Sequence, residues 1–452
     1  MHHSELRGQP DNGMEERKTA THGPSRLLNR NFVLLWQGQF VSRLGDQAFA
    51  IALIFWIKEA TDSASLMGFY LMVAAIPAIL LGPIGGAIAD RHSRRNLILL
   101  SDVVNGVAVL SLAALMLLRP LETQVILIWL FVVAVIDAVC NSFFDPAINA
   151  ATPDLVPREK LIRANSFGQM SFQITMFIGQ GLGGTLYRLL GAPLLFLIDG
   201  LTFLFAALNE SFVMIPQRMP EQSASSRDRF AEFRKDLAVG MRYIWRRSGL
   251  RGLVVLSALG NFFSVPVVIL APFYVEDFLK VGPDWYGFFL ATYGAGTMAG
   301  YLFAGVMPLT GKSRVHVMIV AMCFEASTYG LLTQTGPFGA VVLAFVAGFA
   351  GGFLMINIAT VVQVTTPGEM RGRVLGLIGT LSASITPIAS GLVGVVADLM
   401  GKNITLIYVS CSAAMLLVSL MAGLNQDIRE FLAYEREAEA PQDVEEPAAS
   451  TN

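Results

Sequence analysis

Apolar runs of about twenty residues recur along nearly the whole chain, each long enough as a helix to cross a bilayer core of about 30 Å. In hydrocarbon every backbone N–H and C=O must find its partner inside the protein, which leaves helices and closed barrels as the only spanning structures. A barrel would show segments of about ten residues in strict alternation, and this sequence does not read that way. Only 15% of the residues are charged, and the mean hydropathy is +0.57. A soluble protein carries about a quarter charged residues. The expected fold class is therefore an all-α membrane protein.

Twelve spans are predicted, at 31–57, 65–89, 96–118, 123–148, 163–190, 193–215, 249–279, 284–308, 314–334, 338–364, 371–398 and 402–424. They define a 1–30 cytosolic tail, a 31–215 six-helix bundle, a 216–248 linker, a 249–424 six-helix bundle and a 425–452 cytosolic tail. The first thirty residues lack the apolar core of a signal peptide. With both termini in the cytosol, 26 of the 32 Lys and Arg fall on the inner side, five fall outside, and Arg43 is left within a span. Short inner loops favour Lys and Arg, so this asymmetry fixes the orientation.

The linker is the one long break. It opens with Pro216, Pro220 and a Ser-rich piece, then places Phe230, Phe233, Leu237, Met241 and Ile244 at helical spacing, with Arg227, Arg229, Arg234, Lys235 and Arg242 largely off that stripe. This pattern predicts a basic amphipathic helix lying on the inner leaflet. Across the break the sequence repeats itself. Pro157, Glu159, Arg163, Gly181 and Gly184 are matched by Pro367, Glu369, Arg373, Gly391 and Gly394 at a constant offset of 210 residues. Two pseudo-symmetric bundles side by side would produce such a repeat.

A charge at the bilayer centre costs about 2.5–3.5 kcal/mol on insertion scales, so intramembrane charges mark candidate sites. Arg43 and Asp46 stand on one face of the first span. They read either as a structural ion pair or as a protonatable Asp46 tuned by Arg43. Asp137 and Asn141 are one turn apart in the fourth span, and Glu325 lies about ten residues into the ninth. Each acid is either a proton or substrate site or a neutral, hydrogen-bonded helix contact. Asp145 and Glu210 sit near inner span ends, and Asp199 and Asp398 near outer ones, where solvation is the expectation. Gly179, Gly181, Gly183 and Gly184 predict close helix packing in the fifth span. Pro387 near Gly391 predicts a kink in the eleventh. Cys140, Cys323 and Cys411 fall in apolar runs without paired spacing and read as buried small hydrophobes.

One turn carries a denser signature. GAIADRHSRR, Gly86 to Arg95, ends an apolar run with one carboxylate and three arginines. Its spacing, G-x-x-x-D-R-x-x-R-R, resembles the loop between the second and third helices of the major facilitator superfamily, with Ser93 where that family has glycine. The segments NRNFVLLWQGQFVSRLGD and DPAINAATPDLVPREKLIRANS are similar to the subgroup containing enterobactin exporters and macrolide-efflux proteins. Gly179 to Gly184 resembles the GPxxGG segment of drug exporters with Gln180 in place of the proline, and the fourth-helix arginine of the superfamily is absent.

The resemblance implies a twelve-helix secondary transporter of the bacterial inner membrane. It implies that Asp90 meets the cytoplasmic start of the eleventh span, where Arg371 and Arg373 add attraction. Arg91, Arg94 and Arg95 would then hold nearby carboxylates and lipid phosphates, closing an inner gate. The expected function is proton-coupled export of a hydrophobic or amphipathic small molecule by a monomer, without a cofactor and without nucleic acid. Its partners would be the substrate, protons and membrane lipids. Trp36, Trp56, Phe143, Phe144, Phe172, Met176, Phe262 and Phe263 lie on spans expected to border the cavity. A lysophospholipid or other lipid flippase and a non-transporting membrane sensor or scaffold are the alternatives. No phosphate-binding glycine loop or clustered histidine set suggests an enzyme.

Overall fold

The computed structural model describes residues 27–217, 226–307 and 309–434. Residues 1–26 of the expected 1–30 tail, 435–452 of the expected 425–452 tail, the Ser-rich 218–225 and the side chains of Arg227, Arg229, Phe230 and Phe233 lie outside the described residues.

Helices account for the spans, and short polar residues start several of them. Helix α1 is Arg30–Thr61, with the Asn29 side chain accepting from the Phe32 N–H; α2 is Ala64–Ala89, capped by Ser63; α3 is Arg94–Leu118, capped by Ser93. Each cap satisfies a backbone donor that the first turn leaves open. Helix α4 is Thr123–Leu155 and α5 is Leu161–Ser211. Within α5, Gly191 has φ 71° and ψ 168°. Only glycine occupies that region without strain, so the chain reverses there, just before Pro193, and α5 makes two passes. Then come α6 (Ser226–Arg246), α7 (Ser248–Ile269), α8 (Asp284–Val306), α9 (Gly311–Leu331), α10 (Pro337–Thr365), α11 (Gly368–Leu399), α12 (Ile404–Leu424) and a short α13 (Gln426–Ala433).

Among the described residues, ten helical segments are long and apolar enough to cross a membrane. One of them spans Arg158–Ser211 and makes two passes, and the 23-residue α8 supplies another, which gives the twelve expected crossings. Helices α1 to α5 pack with one another, as do α7 to α12. The described free cysteines are one buried and two half-buried thiols.

The bundles meet most extensively through one contact used twice. Helix α5 packs on α8, and α11 packs on α2. A Cβ on Gly184 would strike the Pro283 carbonyl at the start of α8, and one on Gly394, 210 residues later, would strike the Ala64 carbonyl at the start of α2. One turn earlier, a Cβ on Gly181 would lie 3.6 Å from Ala291 Cβ and one on Gly391 3.0 Å from Met72 Sδ. The repeated glycines are the points where backbones of opposite halves touch.

Two expectations change. The apolar stripe of α6 does not lie on lipid: Ile244 is buried, Leu237 and Met241 pack beside it in the core of the second bundle, and Gly240 sits against the Arg373 carbonyl of α11. The segment after the twelfth span is not simply a solvated tail, because α13 docks Ile428 against Gly252 and Phe431 against Gly249 of α7.

Candidate functional site

The two ends of the molecule differ. At the end carrying the α1–α2 turn, ion pairs bind the halves together. Lys58 Nζ lies 2.6 Å from Glu276 Oε2 and 3.0 Å from Asp277 Oδ1, Arg188 Nη1 lies 3.3 Å from Asp284 Oδ1, and Lys402 pairs with Asp62. Asp398, expected to be solvated, instead accepts from Ser63 Oγ at 2.8 Å and from the Ala64 and Ser65 N–H groups at 3.0 and 2.9 Å. A carboxylate there satisfies orphan donors and meets the positive end of the α2 dipole.

At the other end, Asp90 is the C-cap of α2. Arg94, four residues on, is 4.0 Å from it but makes its close contacts with Asp154 and, at 2.8 Å, with the Ala150 carbonyl of α4. Arg95 donates to the main-chain carbonyls of Glu210 and Ser211, where α5 ends. Gln217 accepts from the Arg94 N–H at 2.9 Å and donates to the His92 carbonyl at 3.0 Å. The 86–95 turn is thus bound to its own bundle, and the start of α11, with Arg371 and Arg373, packs on α6. The same α6 also packs on α2.

Inside the first bundle the acids gather. Asp46 on α1 has Asp137 and Asp145 of α4, Asp102 of α3 and Arg43 as electrostatic neighbours. Asp137 Oδ1 accepts from Asn141 Nδ2 at 3.0 Å and from Asn105 Nδ2 at 3.1 Å, so the Asp137–Asn141 turn extends to α3. No ion pair joins Arg43 to Asp46 among the described residues; the guanidinium stands 5.8 Å from the centroid of the Phe172 ring, a cation–π contact. Asp199, expected near the outer surface, is 1% exposed and abuts Gly45 next to Asp46. Glu325 lies apart in the second bundle, with its Oε1 and the Tyr293 hydroxyl both close to Gly351, joining α9, α8 and α10.

Of the glycines in the fifth span, Gly179 and Gly183 admit Gln47 and Ile51 of α1, whereas Gly181 and Gly184 face α8. Pro387 is buried within a continuous α11. Among the aromatic residues expected at a cavity, Phe144 is 7% exposed in a core cluster, and the half-buried Trp56 packs against another. Phe172 is 41% exposed. Asp102 and its neighbour Gln39, both buried, escaped the reading of the sequence, although a lone carboxylate in the run ILLSDVVNG was the available signal.

Two six-pass bundles that repeat each other's contacts, sealed at one end and carrying carboxylates within the membrane-spanning region, define a polytopic transport protein. The chain belongs to the Major Facilitator Superfamily, whose model matches residues 35–390. It is 26% identical to macrolide efflux protein A of Streptococcus pyogenes over 82% of this chain and 90% of that protein. It is 25% identical to the multidrug efflux pump Tap of Mycolicibacterium fortuitum over 85% of this chain and 93% of that one. The fold matches a bacterial homologue of the iron transporter ferroportin in its inward-facing state, with TM-score 0.67 and 18% identity, over 88% of this chain and all of that one. The protein is thus an integral membrane transporter with drug-efflux relatives, in line with the macrolide-efflux subgroup, and not an enzyme.

Proposed function

We propose that this protein exports a hydrophobic or amphipathic small molecule by alternating access, driven by inward movement of protons. The observation that carries the reading is the set of carboxylates around Asp46 and Asp137, whose one cationic neighbour, Arg43, rests on the exposed face of Phe172. An acid that gains or loses a proton beside an apolar surface couples ion and cargo occupancy. The efflux relatives supply the direction and the cargo class. With the termini in the cytosol of a bacterial inner membrane, the end closed by the Lys58, Arg188 and Lys402 ion pairs is the outer one. Asp90, Arg371 and Arg373 then form the inner gate when the halves rock. The protein works as a monomer with no cofactor beyond the proton gradient.

The lipid reading has less support. An apolar groove of about 560 Å³ is lined by Leu66, Val73, Ile128, Phe131 and Val135. It lies between α2 and α4 of one bundle, whereas a flippase needs an opening between the halves. The test is uptake of a macrolide into inverted vesicles with an imposed proton gradient. Asp46→Asn should abolish the gradient-driven component while the protein still folds, and unchanged proton dependence removes Asp46 from the mechanism.

A further inference from the structure

We propose that Asp102 and Glu210 hold one proton between them, forming a proton-binding site inside the wall of the first bundle, distinct from Asp46 and Asp137. Asp102 on α3 is 3% exposed and Glu210 on α5 is 1% exposed. A single amide serves both: Gln39 Nε2 on α1 donates at 2.7 Å to Glu210 Oε1 and at 3.3 Å to Asp102 Oδ2. Both carboxyl groups thus stand within hydrogen-bond distance of the same nitrogen atom. Glu210 Oε2 is buried and has no hydrogen-bond partner among the described residues.

Two ionised carboxylates in such a place would repel each other, with only half an amide each for compensation, and burying an unpaired charge is costly. One shared proton supplies the missing donor and turns the repulsion into a short, charge-assisted O–H···O bond. The groups around the pair do not replace it. From α1 come Gln39 and, within electrostatic range of Asp102, Asp46. From α4 come Cys140, whose thiol senses Asp102, and Asp137, whose carboxylate is engaged by Asn105 and Asn141. On α5, Asn209 is held by Gln37. Of the arginines in the 86–95 turn at this end, Arg94 pairs with Asp154, and Arg95 donates to main-chain oxygens of Glu210 and Ser211. It leaves the carboxylates to each other and balances the single negative charge of the protonated pair. Release of the proton to solvent takes the pair from one negative charge to two, directly behind the residue that anchors the 86–95 turn.

This site stands independently of the transport reading, and its test measures no transport. The full chain, purified in detergent, is studied by infrared spectroscopy and thermal unfolding at neutral pH. The wild type should show the carbonyl stretch of a protonated carboxyl that is lost in Asp102→Asn/Glu210→Gln. Glu210→Gln alone should unfold within a few degrees of the wild type, because its amide provides the donor that the proton provided, whereas Glu210→Leu should unfold well below both. Asp102→Asn is the second isosteric variant should Glu210→Gln fail to fold. An infrared difference spectrum, wild type minus double variant, that lacks this carbonyl band overturns the proposal. So does stabilisation of the wild type, but not of the double variant, by sodium over choline chloride, which would make the occupant a metal cation.

Discussion

Arg188 and Asp398 stand 210 residues apart and do the same work with opposite charge: Arg188 pairs with Asp284 in the first turn of α8, and Asp398 caps the first turn of α2. The sequence repeat places them at equivalent ends of α5's first pass and α11. Each therefore clamps its own bundle to the opening turn of a helix in the other half.

Replacing Asp398 by Ala removes three hydrogen bonds and the favourable charge at the α2 N-terminus. Loss of such a cap costs about 1 kcal/mol, or roughly a five-fold change in an equilibrium. The expected result is faster maleimide labelling, from the outer side, of a cysteine placed at Met72 in a chain lacking Cys140, Cys323 and Cys411. An unaltered labelling rate would show that the cap does not hold the outer end closed.

Lys58 offers a charge-reversal test. Its ammonium is shared by Glu276 and Asp277 and is nearly enclosed, with the side chain 9% exposed. Lys58→Glu should weaken the outer seal by roughly 1.5–3 kcal/mol, the range for hydrogen bonds to charged groups. Adding Glu276→Lys should recover a good part of that loss. Distances between spin labels across the outer end report the opening, and the absence of any recovery would mean that the pair is incidental.

Gly184 leaves no room for a side chain. Its Cβ would meet the Pro283 carbonyl, so Gly184→Val should prevent the α5–α8 approach at a cost of about 1–3 kcal/mol. Gly260→Ala, with nothing within 4 Å of the added atom, serves as the control and should be neutral or mildly stabilising. Equal thermal stability and equal activity of the two variants would contradict the close-packing role.

For the inner gate, Asp90→Ala should shift cysteine accessibility toward the cytoplasmic side, because the closed form would lose its partner at the start of α11. The same labelling pattern as the wild type would remove Asp90 from the gate.

The twelve crossings and the internal repeat were legible because both rest on local pattern, the length of apolar runs and a constant offset. The candidate site was legible only in part. Asp46, Asp137 and Asn141 could be found as charges or amides inside spans, yet their partner Asn105 comes from a different helix. Asp199 was misplaced because depth was counted along its own span, whereas its burial is set by Gly45 of α1 facing it. Likewise Gln39, Asp102 and Glu210 are separated by 63 and 171 positions in their hydrogen-bonded pairs, a relationship that no periodicity encodes. The stripe on α6 announced a covered face correctly, but hydrophobic spacing does not distinguish lipid from α11 as the cover.

That cover on α6 has a mechanical consequence. Helix α6 runs almost directly into α7, and Arg247 between them stacks 4.6 Å from the Tyr243 ring centroid and donates to the Thr365 carbonyl at 3.1 Å. The connector is therefore built into the C-terminal bundle as a buttress, so a substitution at Tyr243 or Arg247 acts on the packing of α10 and α11 as well as on the α6–α7 junction.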